Sequence, residues 1–323
     1  MKVQAILMTM LFMANAYAWS GPVVDHDLLN GGADVIYGKD DRTPINDYVD
    51  PVVQTQAAQV AIRVRRGSMY PNRDNESQYF INNRKLQDRD VNDQQAEAKL
   101  CENEKFATEN SVGDCTGFLI GPNKLLTAAH CMDSIESCEK NRWVFNFNET
   151  LDDNLPVVNA DDIYRCHKIL AMKYERTKTK VSDYAIIELD RDVPSYSPMK
   201  IRRKGEISLN DPIYSIGHPL GLPKKITLGA QVTEKNSPHF FKDFTKNLQR
   251  RSYFLTNLDT YIGNSGSPVF NLNTGVLEGI LIQGNVDFTY NAKKGCMESL
   301  ILSNKKGKER VMKITKIPLE KYL

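Results

Sequence analysis

The chain has 323 residues, 41% of them hydrophobic, with 42 Lys and Arg against 40 Asp and Glu for a formal charge of +2. That length and apolar content suffice for a full core in one large all-β domain or two small ones, and exclude a disordered chain or a mini-scaffold. The near balance of charge excludes a field strong enough by itself to gather nucleic acid or an anionic membrane, so partners have to be argued from sites.

In chain order, the first elements are export signals. Met1 and Lys2 make a short basic start, residues 3–13 an apolar run, and Ala16-Tyr17-Ala18 a cleavage site, so 1–18 reads as a signal peptide. The run is too short for a membrane span, no second one follows, and Trp19 rather than cysteine after the cut argues against a lipid anchor. The mature chain is expected to be secreted, extracellular or periplasmic. There, six cysteines without a C-x-x-C pair favour disulfides over zinc or thiol chemistry.

Short β-branched and aromatic runs bounded by Gly, Pro, Asn and Asp follow, the signature of an all-β sandwich or barrel. Strands are expected at 60–64, 117–120, 124–129, 143–147, 169–172 and 185–189. After the Pro-containing joint 190–198, a second set is expected at 212–216, 226–232, 252–258, 268–270 and 276–283. Residues 65–114 form a polar insertion too long for a hairpin connection, with a short helix expected at 94–100 capped by Asn92 or Asp93. It reads either as a recognition surface or as a loop pinned by Cys101. Cys115 and Cys131 bracket an apolar hairpin and would tie its ends together, while Cys101, Cys138, Cys166 and Cys296 leave three pairings open.

Three short segments carry chemistry: Thr127-Ala128-Ala129-His130-Cys131, Ser182-Asp183-Tyr184, and Gly263-Asn264-Ser265-Gly266-Ser267-Pro268. A serine hydroxyl attacks a carbonyl poorly unless an imidazole takes its proton and a carboxylate fixes the imidazole tautomer. Of the five histidines, only His130 follows an apolar strand inside a cysteine-bracketed loop; His26, His167, His218 and His239 sit near the amino terminus, after a cysteine, in a Gly-Pro loop and in a polar stretch. Asp183 opens an apolar strand, whereas Asp152, Asp153, Asp161 and Asp162 lie in polar runs. Ser265 stands between Gly263 and Gly266, so the backbone can turn sharply and aim the N–H groups of Gly263 and Ser265 at one point as an oxyanion hole.

These segments, with 113–120 ahead of them, resemble the chymotrypsin-like (trypsin-like) serine peptidases. The closer resemblance is to the bacterial V8-like, glutamyl endopeptidase-related branch, in which Asn rather than Asp precedes the nucleophile, as Asn264 does here. The resemblance implies two packed six-stranded antiparallel β-barrels, the first at about 35–192 including the insertion and the second at about 193–323, with the triad at their seam. It also implies a serine endopeptidase working through an acyl-enzyme. Val35-Ile36-Tyr37-Gly38 looks like the start of a mature enzyme, which would make 19–34 a short propeptide; alternatively Val35 begins a surface strand. Pancreatic relatives pair the freed terminus with an aspartate before the nucleophile, and the neutral Asn264 argues against that kind of zymogen control.

Specificity rests on the segments around the nucleophile. Asp259, six residues before Ser265, falls where trypsin-like enzymes place the carboxylate that selects Lys or Arg, although in V8-like sequences an aspartate there can serve structure. The glutamate-cleaving branch has a histidine in the strand matching 279–284, where this chain has Leu281, while Thr260 matches a threonine of that branch. Basic and Glu preferences therefore both stay open, with Asp287 a second candidate carboxylate. Gln283 and Gly284 are expected to hydrogen-bond an extended substrate as an added strand. The rival class is a non-catalytic secreted binding module on the same fold. An ester hydrolase with a nucleophile elbow would order its triad Ser, Asp, His, opposite to this chain. Protein or peptide substrates are the expected partners of a monomer, with no cofactor, metal, nucleic acid or membrane; 149–154 and 217–221 match no calcium or phosphate binding pattern, and 240–254 interleaves bases and aromatics as single-strand binders do but reads as a loop flanking a strand, since no matching basic face exists elsewhere.

Overall fold

The computed structural model describes residues 35–82, 84–89, 91–92, 97–149, 156–176, 181–235, 251–284 and 286–323. The expected signal peptide and the 19–34 propeptide lie outside the described residues. The first six barrel strands are β1 (Val60–Arg65), β2 (Cys115–Gly121), β3 (Lys124–Thr127), β4 (Asn141–Val144), β5 (Ile163–Arg176) and β6 (Val181–Leu189). They close antiparallel in the order β2, β3, β6, β5, β4, β1 and back to β2. The second six are β7 (Pro212–Gly217), β8 (Lys225–Glu234), β9 (Tyr253–Thr256), β10 (Pro268–Asn271), β11 (Leu277–Gln283) and β12 (Glu309–Lys313). Because β7 pairs with both β10 and β8, this sheet also closes, and Arg42–Pro44 adds to β8 from outside.

Side chains alternate across a strand, and here both faces of one wall are dry. Leu119, Leu125 and Ile187 fill the first barrel with Trp143 and Tyr164. Their neighbours Phe118, Leu126 and Ile186 face the other way and pack with Ile216, Phe270, Ile280 and Met312 of the second barrel. This is why 115–121 is buried at every position, and it places the ends of β3, β6 and the turn before β10 at one seam. The second barrel has its own filling of Ile213, Val232, Phe254, Val269, Leu281 and Val311.

Several expectations are corrected. The strand expected to reach 147 stops at Val144, because Asn146 takes a left-handed φ of 57° that turns the chain away, while Phe145 and Phe147 stay buried. The helix expected at 94–100 is not formed over its described part: Glu97–Ala98 pairs antiparallel with Val91–Asn92, and Leu100 bridges Met297. The rest of 65–114 contains further short ladders, Met69–Pro71 on Gln78–Ile81 and Arg84–Lys85 on Asn110–Ser111. Strand β12 has no counterpart in the expected set. Disulfides join Cys115 to Cys131, Cys138 to Cys166 and Cys101 to Cys296, the last tying the insertion to the second half of the chain.

Candidate active site

His130 sits in the single turn Ala129–Cys131 that follows β3. The Cys115–Cys131 bridge and the Thr127 hydroxyl, which donates to Thr116 O at 2.7 Å, hold that turn to the start of β2. Cys115, Cys131 and His130 also cluster closely enough to suggest a metal site, but both sulfurs are spent in the disulfide and supply no thiolate. Asp183 lies in β6, fully buried, opposite Tyr174 of β5. Its Oδ1 accepts from His130 N at 3.1 Å and its Oδ2 from His130 Nδ1 at 2.8 Å. An ionised carboxylate there accepts a hydrogen bond from Nδ1–H, which keeps that proton on Nδ1 and leaves Nε2 as the ring's acceptor.

A third group, absent from the sequence expectations, completes this arrangement. Arg176, at the end of β5, donates from Nη2 to Asp183 Oδ2 at 2.7 Å and to Ile282 O at 3.2 Å. Burial pushes the Asp183 carboxyl up, but the charges and hydrogen bonds of His130 and Arg176 outweigh it and hold the group below its ordinary range. A carboxyl lowered in the folded chain adds stability that is complete above the unfolded value near pH 4 and is lost as pH falls through the folded value. Arg176→Gln removes one cation, raises the folded value and should move acid unfolding to higher pH, whereas Arg176→Lys should lie close to wild type. Urea midpoints measured from about pH 2 to about pH 8 would show this as a gap that is open above the carboxylate range and closes below it; coincident curves for Arg176→Gln and wild type above that range would refute it.

Ser265 stands on the turn before β10. Gly263 and Gly266 take left-handed φ values of 101° and 88°, which favour glycine. Ser265 O accepts from Thr116 N at 2.9 Å and lies 3.7 Å from the Cys131 sulfur, so the turn packs on the hairpin that carries His130. Among the described residues Ser265 Oγ makes no hydrogen bond to the ring, a looseness common in the absence of substrate. Asn264 N donates to Tyr261 O at 3.0 Å, while the N–H groups of Gly263 and Ser265 on either side have no acceptor among the described residues. They are free to meet a developing oxyanion. His218 braces this turn from behind: it is buried, its main-chain N–H donates to Thr116 Oγ1 at 3.1 Å, and its Nδ1 meets Leu222 O at 2.9 Å.

The pocket expectations fare differently. Asp259 is 2% exposed, and its two oxygens accept from Tyr37 N at 2.7 Å and Asp41 N at 2.8 Å. Burial pushes this carboxyl up to about 7 against those two donors, and Arg42, stacked 3.9 Å over Tyr261, already places a cation beside it. The reading of Asp259 as an open carboxylate for Lys or Arg is corrected: it clamps the segment 37–41. Thr260, also buried, donates to Glu309 Oε2 at 3.2 Å, and Asp287 accepts from Ile262 N at 3.2 Å. Leu281 belongs to the second barrel's core. Gln283 closes β11 with its Oε1 accepting from Arg310 Nη1 at 2.8 Å, and Gly284 follows it, partly exposed.

Residues 115–280 match the family described as Trypsin-like peptidase domain, over just more than half of the chain. Among solved structures, the chain is similar to a Glu endopeptidase in complex with MPD, at 16% identity, 89% coverage of this chain and 98% of that one, with a TM-score of 0.46. It is similar also to the inactive form of the Rv3671c protease, at 16% identity, 89% and 98% coverage and a TM-score of 0.42. The active form of that protease, from M. tuberculosis, gives 15% identity, 87% and 85% coverage and a TM-score of 0.39. No curated protein matches the chain. The family match, on a fold of two closed six-stranded barrels, makes this chain a member of the trypsin-like, chymotrypsin-fold peptidases. It is a serine endopeptidase, a hydrolase of protein or peptide substrates.

Proposed function

We propose that this endopeptidase is exported and cleaves its substrate through an acyl-enzyme at Ser265, with His130 as general base and then acid and Asp183 as the orienting carboxylate. The observation that carries the reading is the buried Asp183 accepting from both His130 N and His130 Nδ1, because that fixes ring position and tautomer together. Ser265 Oγ bonds to the scissile carbonyl carbon as its proton passes to His130 Nε2, and the oxyanion is met by the N–H groups of Gly263 and Ser265. The carbon–nitrogen bond then breaks with the same proton delivered to the leaving amine. Water repeats the sequence, giving its proton to His130 and releasing the acid and Ser265 Oγ–H.

Export is supported by the basic, apolar and Ala-Tyr-Ala series at 1–18 and by the three disulfides. Removal of 19–34 as a propeptide is part of the same proposal, since Val35, Ile36 and Tyr37 are buried and Tyr37 is held by Asp259. No side-chain preference is taken from Asp259, because a carboxyl already accepting two main-chain hydrogen bonds has little left for a substrate cation. A fluorophosphonate probe should label the wild-type protein and leave Ser265→Ala unlabelled. Equal labelling of the two would overturn the assignment.

A further inference from the structure

The polar insertion contributes to a groove that the chemistry above leaves unused. A hollow of about 830 Å³ begins at His130 and runs between the chain at and beyond the end of β1, with Arg65 and Arg66, and the short helix α1 (Ile135–Lys140). A second hollow of about 500 Å³ continues it, sharing Arg65, Ser68 and Asp114 and adding Arg84 and Arg89. The imidazole hands its proton to the leaving amine, so the departing half of a substrate has to lie on the His130 side of the seam. This groove opens there.

Its charge is uneven along its length. Near His130 the arginines face Asp133, Glu136 and Glu139 of the opposite wall, with Glu136 paired to Lys140. Farther along, Asp114 is the sole lining carboxylate among the described residues, and Arg63 holds it at 2.7 Å. Arg65 and Arg66 have no ion-pair partner among the described residues, and Arg89 is anchored by neutral oxygens, Ser111 Oγ at 2.6 Å and Leu220 O at 2.8 Å. Burial is the main cause that holds Arg89 below its ordinary range, so an anion placed beside it, within reach of the unpaired Arg65, is favoured.

We infer that the insertion's arginines form a subsite for acidic side chains on the leaving-group side of the scissile bond, so that the enzyme selects proteins carrying Asp or Glu several residues after the cut. The inference rests on the endopeptidase reading above. A peptide is favoured over other polyanions because the groove is continuous with the reacting centre, and arginine forks fit carboxylates.

The test is cleavage of a proteome-derived peptide library by the full, oxidised enzyme, with residues identified on both sides of every cut. Asp and Glu should be enriched about fivefold over Asn and Gln after the cut, the scale of a few exposed or half-buried ion pairs. The enrichment should fade between about 0.05 M and about 0.5 M salt. In Arg65→Glu/Arg66→Glu it should vanish or reverse toward Lys and Arg, with the pattern before the cut unchanged; Arg65→Gln/Arg66→Gln should show the same change more weakly. No acidic enrichment in wild type, or enrichment untouched by both variants, overturns the subsite. Fluorophosphonate labelling of the same preparations reads the nucleophile separately: labelled enzyme without acidic preference sinks only the subsite, whereas unlabelled enzyme sinks the endopeptidase reading and the subsite with it.

Discussion

Asp183→Asn is expected to lower kcat about ten-thousandfold with little change in KM. The amide has nearly the shape of the carboxylate but only one acceptor oxygen, and the carboxylate accepts from three donors: His130 N, His130 Nδ1 and Arg176 Nη2. An amide NH2 facing the ring turns Nδ1 into the acceptor and leaves Nε2 protonated toward Ser265, where no proton can be taken. The same change strands the Arg176 cation, and breaking a buried pair costs roughly 3–5 kcal/mol, so rates have to be compared well below the variant's unfolding midpoint. Single-turnover acylation by an activated ester, alongside a urea titration, separates the two effects. A kcat within about tenfold of wild type would remove Asp183 from the mechanism.

Gly266→Ala should be among the most damaging single-methyl changes in the chain. A Cβ built there meets Thr116 O at 2.1 Å and Thr127 Oγ1 at 2.4 Å, on a residue whose φ is 88°. Both neighbours belong to the hairpin bearing His130, and Thr116 O is backbone that cannot swing aside. Steric overlap added to left-handed strain is expected to cost about 4 kcal/mol or more and to displace Ser265. Gly205→Ala is the control: its φ of 74° is similar, yet nothing lies within 4 Å, so about 1 kcal/mol of backbone strain is all that is expected. Similar urea midpoints for the two variants would show that close packing of the hairpin on the turn carrying Ser265 is not what glycine serves at 266.

What could be read directly from the chain was what is encoded within a few consecutive residues. His130 after an apolar strand, Asp183 at the head of another, and Ser265 between glycines each announce themselves locally, and the seam brings His130 and Asp183 together because β3 and β6 are neighbours. Most barrel strands are legible because one or both faces are dry. Strand β12 is not, since Glu309 and Lys313 give it charged ends that are nevertheless buried, Glu309 accepting from the Tyr37 hydroxyl and Lys313 pairing with Glu206. Arg176 resembles any charged strand end until the fold sets it against Asp183. Asp259 shows the opposite error: its spacing from Ser265 suggests a pocket, but its partners lie more than two hundred residues earlier, beyond the reach of any local pattern. Distance hid the Cys101–Cys296 pair in the same way.

That last bridge closes a ring 195 residues around, enclosing β2 to β11. For an enzyme that hydrolyses proteins in the company of its own copies, the ring means that a single stray cut anywhere inside it opens the chain without releasing a fragment. The two barrels stay covalently joined after such a nick, and their shared interface can hold the severed ends near register. Self-digestion then has to succeed twice before the catalytic seam comes apart.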